Sequence, residues 1–197
     1  MSYIASTRKN TLCLLMFNKK KESLDSFFHI FSSPCVLISK GVNTMWAKIK
    51  PYVISILIPL GVGIFSSLFT RGNMDIYSTI NVPPLAPPSI LFPIVWTILY
   101  ILMGVSSGMI YTSGQKSGRA LTIYGISLFV NFLWSIIFFN LKAFLFAFIW
   151  LVLLIFLVAF TIVEYLKINK VAAYLQIPYL LWVAFAGYLS FGIFLLN

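Results

Sequence analysis

Asn81-Val-Pro-Pro-Leu-Ala-Pro-Pro-Ser-Ile-Leu-Phe-Pro-Ile-Val-Trp-Thr-Ile-Leu-Tyr-Ile-Leu-Met-Gly104 joins two Pro-Pro pairs to a long apolar run. Pro83, Pro84, Pro87 and Pro88 hold φ near the polyproline value and offer no backbone N–H, so the loop is stiff and non-helical. From Ile90 to Tyr111 there is no charge, and about 20 apolar residues suffice to cross a bilayer as a helix. A rigid loop feeding a membrane helix that carries Trp96 and Tyr100 points to a loop that caps a pocket.

The same reading extends along the chain. Hydrophobic residues make up 60% of it and charged residues 9%, a balance that excludes an ordinary soluble domain. Uncharged runs cover Pro51–Phe69, Ile90–Tyr111, Leu121–Leu141, Ala143–Val163 and Val171–Leu196. They are continuously apolar and do not alternate, so helices are expected and strands are not. A single helix from 121 to 163 would far exceed the bilayer, so Asn140 and Lys142 mark a turn at the interface. The expected fold is all-α, a polytopic bundle of five transmembrane helices.

Twelve basic residues lie on the side of the N-terminus and of the second and fourth loops, and only Arg71 and Lys142 on the other. The positive-inside rule then places the N-terminus in the cytoplasm and the C-terminus outside a cell membrane. The net charge of +10 is mostly this topology signal, and no nucleic-acid partner is expected.

Met1–Thr44 departs from this pattern. It is polar and basic, and its apolar patch, Phe27–Ile38, is too short to span and lacks a signal-peptide cleavage site. Met45-Trp-Ala-Lys-Ile-Lys reads as a natural start. Residues 1–44 are therefore expected to be a disordered segment or an upstream-start artefact, with a targeting or regulatory arm as the alternative, and 45–197 to be the membrane domain. Cys13, Cys35 and His29 all fall in the first segment. From Met45 onward the acids are Asp75 and Glu164 alone. No metal site, triad or paired-carboxylate enzyme can be assembled there, and no cofactor is expected.

The remaining candidates are aromatic rings and an amide. Pro93, Trp96, Tyr100 and Met103 share a face of the second helix, Asn131, Trp134 and Phe138 one of the third, and Pro178, Trp182, Phe185 and Leu189 one of the fifth. Three such faces would line a flat cavity for a planar apolar ligand. For any single one of these aromatics, core packing or interfacial anchoring is the favoured reading, by about two to one. Trp46 reads as an anchor and Trp150 as a packing or lipid-facing residue without a polar neighbour. Asn131 is open to two readings, ligand contact or inter-helix hydrogen bond. Gly104-Val-Ser-Ser-Gly108, and the small edge Ala184, Ala186, Gly187 and Ser190, suit close approach, either within the chain or in a dimer. Pro59 and Pro178 are expected to bend their helices.

Pro83-Pro84-Leu-Ala-Pro87-Pro88, Trp96-Thr-Ile-Leu-Tyr100-Ile-Leu-Met-Gly104, Asn131-Phe-Leu-Trp134 with Phe138-Phe139, and Pro178-Tyr-Leu-Leu-Trp182-Val-Ala-Phe together resemble the TspO/MBR family from Met45 to the C-terminus. This family comprises tryptophan-rich sensory proteins and translocator proteins. The resemblance implies a five-helix bundle, commonly a homodimer in membrane lipid, with a pocket under the first inter-helix loop. It implies binding of protoporphyrin IX or a related tetrapyrrole as ligand or substrate, and of benzodiazepine and isoquinoline carboxamide compounds. In some bacterial members it further implies light-dependent porphyrin breakdown. Carried over by motif, Trp96 and Trp182 would be the photochemically active indoles. Tyr77, Pro87, Pro88, Trp96, Tyr100, Asn131, Trp134, Phe138, Trp182, Phe185 and Ala186 would contact the ligand. Two departures stand out. Leu85 occupies a place where the family often has Trp, and Leu189–Asn197 lacks the basic residue of the animal cholesterol pattern. Val163-Glu-Tyr165-Leu-Lys167 satisfies that loose pattern elsewhere. The rival expectation is a passive carrier or sensor of porphyrins and other lipophilic molecules without turnover.

Overall fold

The computed structural model describes residues 45–73, 79–114 and 117–197. Met1–Thr44 and Tyr77 lie outside them, so the expectations placed there have no structural counterpart. Among the described residues, five helices are long and apolar enough to span a membrane: α1 (Met45–Thr70), α2 (Leu91–Thr112), α3 (Gly118–Asn140), α4 (Phe144–Leu166) and α5 (Lys170–Leu196). There is no strand among them, so the chain is an all-α, multi-pass membrane protein. α1 begins six residues before its uncharged run. Lys48 and Lys50 sit on its exposed first turns, where their stems can lie along the helix and the ammonium groups reach the interface.

Small residues let α2 approach α1 closely. A Cβ on Gly104 would run into the Ile56 Cα and the Ser55 carbonyl oxygen of α1, and one on Gly108 would lie 2.9 Å from the Tyr52 ring. The Gly104–Gly108 motif therefore serves packing of α2 on α1 within the chain. The Tyr52 hydroxyl and Thr112 Oγ1, 3.2 Å apart, close the far end of this contact. α4 packs against both α3 and α5, and its buried face is Ala147, Leu151, Leu154, Val158 and Thr161.

Two spans change their winding. α3 ends in a wider π-helical turn, Ile136–Asn140, closed by Leu141 N–H to the Ile136 carbonyl at 3.1 Å. Lys142 then adopts a left-handed φ of 54°, which lets the chain reverse into α4 within three residues. α5 is two helical pieces, Lys170–Tyr174 and Ile177–Leu196. Pro178 stands in the first turn of the second piece, where a missing N–H costs nothing. It opens that helix rather than bending its middle. Asn169 Oδ1 caps the first piece, accepting from Ala172 N–H at 3.1 Å. The break is stitched to α2: Gln176 Nε2 donates to Ser106 Oγ at 3.2 Å, and Ser106 Oγ donates to the Ala172 carbonyl at 2.7 Å. Buried polar groups away from water need such partners.

At the expected cytoplasmic end, Glu164 accepts from Lys167 at 2.7 Å and faces Arg119 at 3.6 Å. Both basic partners are exposed, so these pairs contribute little to stability.

Candidate functional site

A cavity of about 610 Å³ opens between α1, α2, α3 and the end of α5. α4 contributes nothing to its wall. From α2 come Phe92, Pro93, Trp96, Thr97 and Tyr100; from α3, Trp134, Ser135, Phe138 and Phe139. Helical spacing explains the ring pairs. Trp96 and Tyr100, four residues apart, stack at 5.4 Å between centroids, and Trp134 and Phe138 lie 5.6 Å apart, because i and i+4 side chains meet on one face. Trp96 and Trp134 approach across the helices to 6.3 Å. The π turn brings two consecutive rings, Phe138 and Phe139, to the wall.

α5 presents a different face from the aromatic stripe in its sequence. Its buried residues include Tyr179, Val183, Ala186, Ser190 and Ile193, and those on the wall are Ala186, Leu189, Ser190 and Ile193. The stripe chosen by large rings, Pro178–Trp182–Phe185–Leu189, lies mostly one residue away, about 100° around the helix. Trp182 is half-buried beside the cavity, 6.1 Å from Phe92 and 5.6 Å from Phe185. Tyr179 takes the interior place, meeting Trp96 edge-on at 6.2 Å. α5 is apolar all round, so amphipathicity gives no phase, and small residues that admit neighbours decide which side turns inward.

Asn131 stands behind the wall rather than on it. Its Nδ2 donates to the Tyr100 hydroxyl at 3.1 Å, fixing a ring that does line the cavity; of the two readings, the structure shows the inter-helix bond. Trp150 does have a polar partner, contrary to the sequence reading: its Nε1 donates to the Val130 carbonyl at 2.9 Å. Tyr165, the aromatic of the loose cholesterol pattern, is fully buried and cannot meet a sterol in the bilayer.

Hydroxyl groups missed in the sequence line the α1 side: Ser66, Ser67 and Thr70. Thr70 Oγ1 donates to the Ser66 carbonyl at 2.9 Å and Ser67 Oγ to the Ile64 carbonyl at 2.8 Å. The Ser67 and Thr70 protons are committed to the helix, which leaves those two oxygens as acceptors. The signal available was small polar residues inside an otherwise apolar span.

The proline loop is fastened to α5. Ala86 N–H reaches the Pro83 carbonyl at 3.2 Å, and Leu85 has φ 71°, which makes a type II turn with Pro84 at its second position. Pro83 lies on Gly192, where a Cβ would come within 2.7 Å of the proline ring. The Tyr188 hydroxyl donates to the Pro84 carbonyl at 2.7 Å, Asn81 N–H to Asn197 Oδ1 at 3.0 Å, and Asn197 Nδ2 to the Asn81 carbonyl at 2.9 Å. Ser89 and Ile90, at the loop's end, line the cavity, whereas Pro87 and Pro88 do not reach it.

Residues 55–196 match the TspO/MBR family. The chain belongs to the TspO/MBR family. It is 37% identical to the tryptophan-rich protein TspO of Chlorobaculum tepidum over 142 residues, covering 70% of this chain and 90% of that one. The same identity holds with the TspO of Archaeoglobus fulgidus over 152 residues, 76% and 99% of the two chains. The translocator protein of Bos taurus is 33% identical over 140 residues, 68% and 83%. The match begins inside α1, so the TspO/MBR part of the chain contains every wall residue of the cavity.

Proposed function

We propose that this protein binds a planar tetrapyrrole, protoporphyrin IX or a close relative, in the cavity between α1, α2, α3 and α5. The observation that carries this reading is the wall itself. Trp96, Tyr100, Trp134 and Phe138 surround a cavity of about 610 Å³, within the range of roughly 300–1,000 Å³ that holds a drug-sized ligand. Aromatic faces and edges stack on a flat π-system at little entropic cost. Benzodiazepine and isoquinoline carboxamide compounds, also flat and apolar, would compete for the same space.

In this reading the protein sequesters the porphyrin or promotes its breakdown under light and oxygen. The photoexcited ring and oxygen supply the chemistry. Trp96, on the wall, is the indole best placed to donate an electron, with Trp182 beyond Phe92 as the second. The protein works as a homodimer in a cell membrane with its N-terminus in the cytoplasm, where the basic residues concentrate.

One observation favours passive carriage instead. α1 is the least buried span, and the cavity residue Ile64 is itself 61% exposed. A ligand could therefore leave sideways into lipid.

The deciding experiment titrates the purified full chain in detergent with protoporphyrin IX in the dark and then illuminates it in air. Saturable binding followed by a new absorbing product, lost in the Trp96→Phe, Trp182→Phe double variant, supports photochemistry. Saturable binding without a product beyond the protein-free control leaves a carrier or sensor, and no saturable binding removes the porphyrin reading.

A further inference from the structure

The wall of the cavity is not equally thick all round. Its α3 and α5 residues are buried or half-buried, and every exposed wall residue belongs to α1, to α2 or to the loop end that leads into α2. These are Ile64 and Ser67 on α1, Ser89 and Ile90 at the loop end, and Pro93 and Thr97 on α2. A residue that lines the cavity and is also exposed marks a place where the wall is one side chain thick. Glycines explain where this thin stretch begins. A Cβ on Gly63 would run into the Tyr100 ring, just as those on Gly104 and Gly108 would meet Ile56 and Tyr52. From Tyr52 to Gly63 the two helices therefore lie close, and beyond Gly63 their seam gives way to the cavity. The neighbouring seams are bonded. Asn140 Nδ2 of α3 donates to the Phe69 carbonyl of α1 at 3.0 Å, Asn131 joins α3 to Tyr100 of α2, and the loop is fastened to α5.

We propose that the α1–α2 seam beyond Gly63 is a lateral port, through which the cavity takes a planar ligand from the bilayer and returns it there. The inference rests on the reading of this cavity as a porphyrin site and names the phase that supplies the porphyrin. It applies equally to carriage and to photochemistry. Between Tyr100 and Leu91 the seam rises about 14 Å at 1.5 Å per residue, roughly half of a hydrocarbon core of about 30 Å. The port therefore opens into the half of the bilayer on the side of the proline loop. Its rim suits lipid. None of the six exposed wall residues is charged, and Ile64, Ile90 and Pro93 are apolar. Ser67 Oγ and Thr97 Oγ1 each donate to a carbonyl of their own helix at 2.8 Å, so neither proton is left unpaired towards the acyl chains. A ring with polar groups at one edge would pass with its face along the chains and that edge towards Ser89.

The test times loading and release of protoporphyrin IX by stopped flow, in the dark, on the full chain in phosphatidylcholine nanodiscs. Both steps are read from the ligand's own absorption band. Added porphyrin loads the cavity, an excess of empty phosphatidylcholine vesicles draws it out, and protein-free nanodiscs give the rate of entry into lipid alone. Ile64→Trp and Thr97→Trp narrow the port from its two sides and should slow loading and release together, by about tenfold or more. Both positions are exposed, so the fold should tolerate the added ring. Leu153→Trp is the control: it is exposed on α4, off the cavity wall, and should leave both rates at the wild-type value. A side chain that only touches the bound ligand acts mainly on release, and one that intrudes on it speeds release. Loading at wild-type speed in both wall variants, or faster release, would therefore overturn the port. A wild type that binds no protoporphyrin IX would remove the porphyrin reading and the port with it, a result distinct from binding with unaltered rates.

Discussion

Replacing Gly104 with alanine should push α1 away from α2 and distort the cavity. The added methyl would meet the Cα of Ile56 and the carbonyl oxygen of Ser55, which are backbone atoms that cannot rotate aside. Relief requires α1 to move as a body, and overpacking of this kind costs about 1–3 kcal/mol. Alanine also gains about 1 kcal/mol over glycine in a helix interior, so the net loss is about 0–2 kcal/mol. Gly125 supplies the matched control. It sits within α3, and a methyl added there would have nothing within 4 Å of it, so Gly125→Ala should gain about 0.5–1 kcal/mol. The two variants make the same chemical change in the same environment and should differ by about 1–3 kcal/mol, or several degrees at roughly 2–4 °C per kcal/mol for a chain of this size. Thermal unfolding in one detergent, followed by helical circular dichroism, measures the difference. Because α1 carries Leu60, Gly63, Ser66 and Thr70 on the cavity wall, Gly104→Ala should also weaken ligand binding, and Gly125→Ala should not. A Gly104→Ala protein as stable as Gly125→Ala would refute the claim that this motif packs α2 on α1.

Three further outcomes follow from individual contacts. Leu85→Gly removes a left-handed φ that costs a side-chain-bearing residue about 1–2 kcal/mol, so the variant should unfold at higher temperature; lower stability would mean that the exposed leucine packs on something. Trp150→Phe loses the bond to the Val130 carbonyl, which keeps its place in the α3 ladder, and should destabilise by about 0.5–1.5 kcal/mol, the worth of one net hydrogen bond, while ligand affinity stays unchanged in titration. Tyr188→Phe frees the Pro84 carbonyl from α5 and should speed ligand dissociation in stopped flow by less than about tenfold, the scale of one net hydrogen bond; an unchanged off-rate would show that the Tyr188 tether does not govern ligand exit.

Much of the architecture was legible because hydrophobicity accumulates along a span. The five uncharged runs correspond to the five helices, and the turn at Asn140–Lys142 appeared as a polar interruption. The structure explains how so short a turn works, through the π-helical end of α3 and the left-handed Lys142. The cavity was legible on α2 and α3, where Trp96, Tyr100, Trp134 and Phe138 repeat at helical spacing and do line it. It was less legible on α5. There the large rings drew attention to the stripe through Trp182, whereas small Ala186 and Ser190 face inward.

Local chemistry alone therefore determined class, span number and the stiffness of the proline loop, since charge-free length and the missing proline N–H act wherever the residue lies in the fold. Only tertiary structure could decide the rotation of α5, the use of Gly104 against Ile56 and the tie of the loop to Asn197. A helix apolar on every side carries no record of its orientation. That orientation is set by which side chains leave room for a neighbouring backbone, a property of pairs of helices rather than of either sequence.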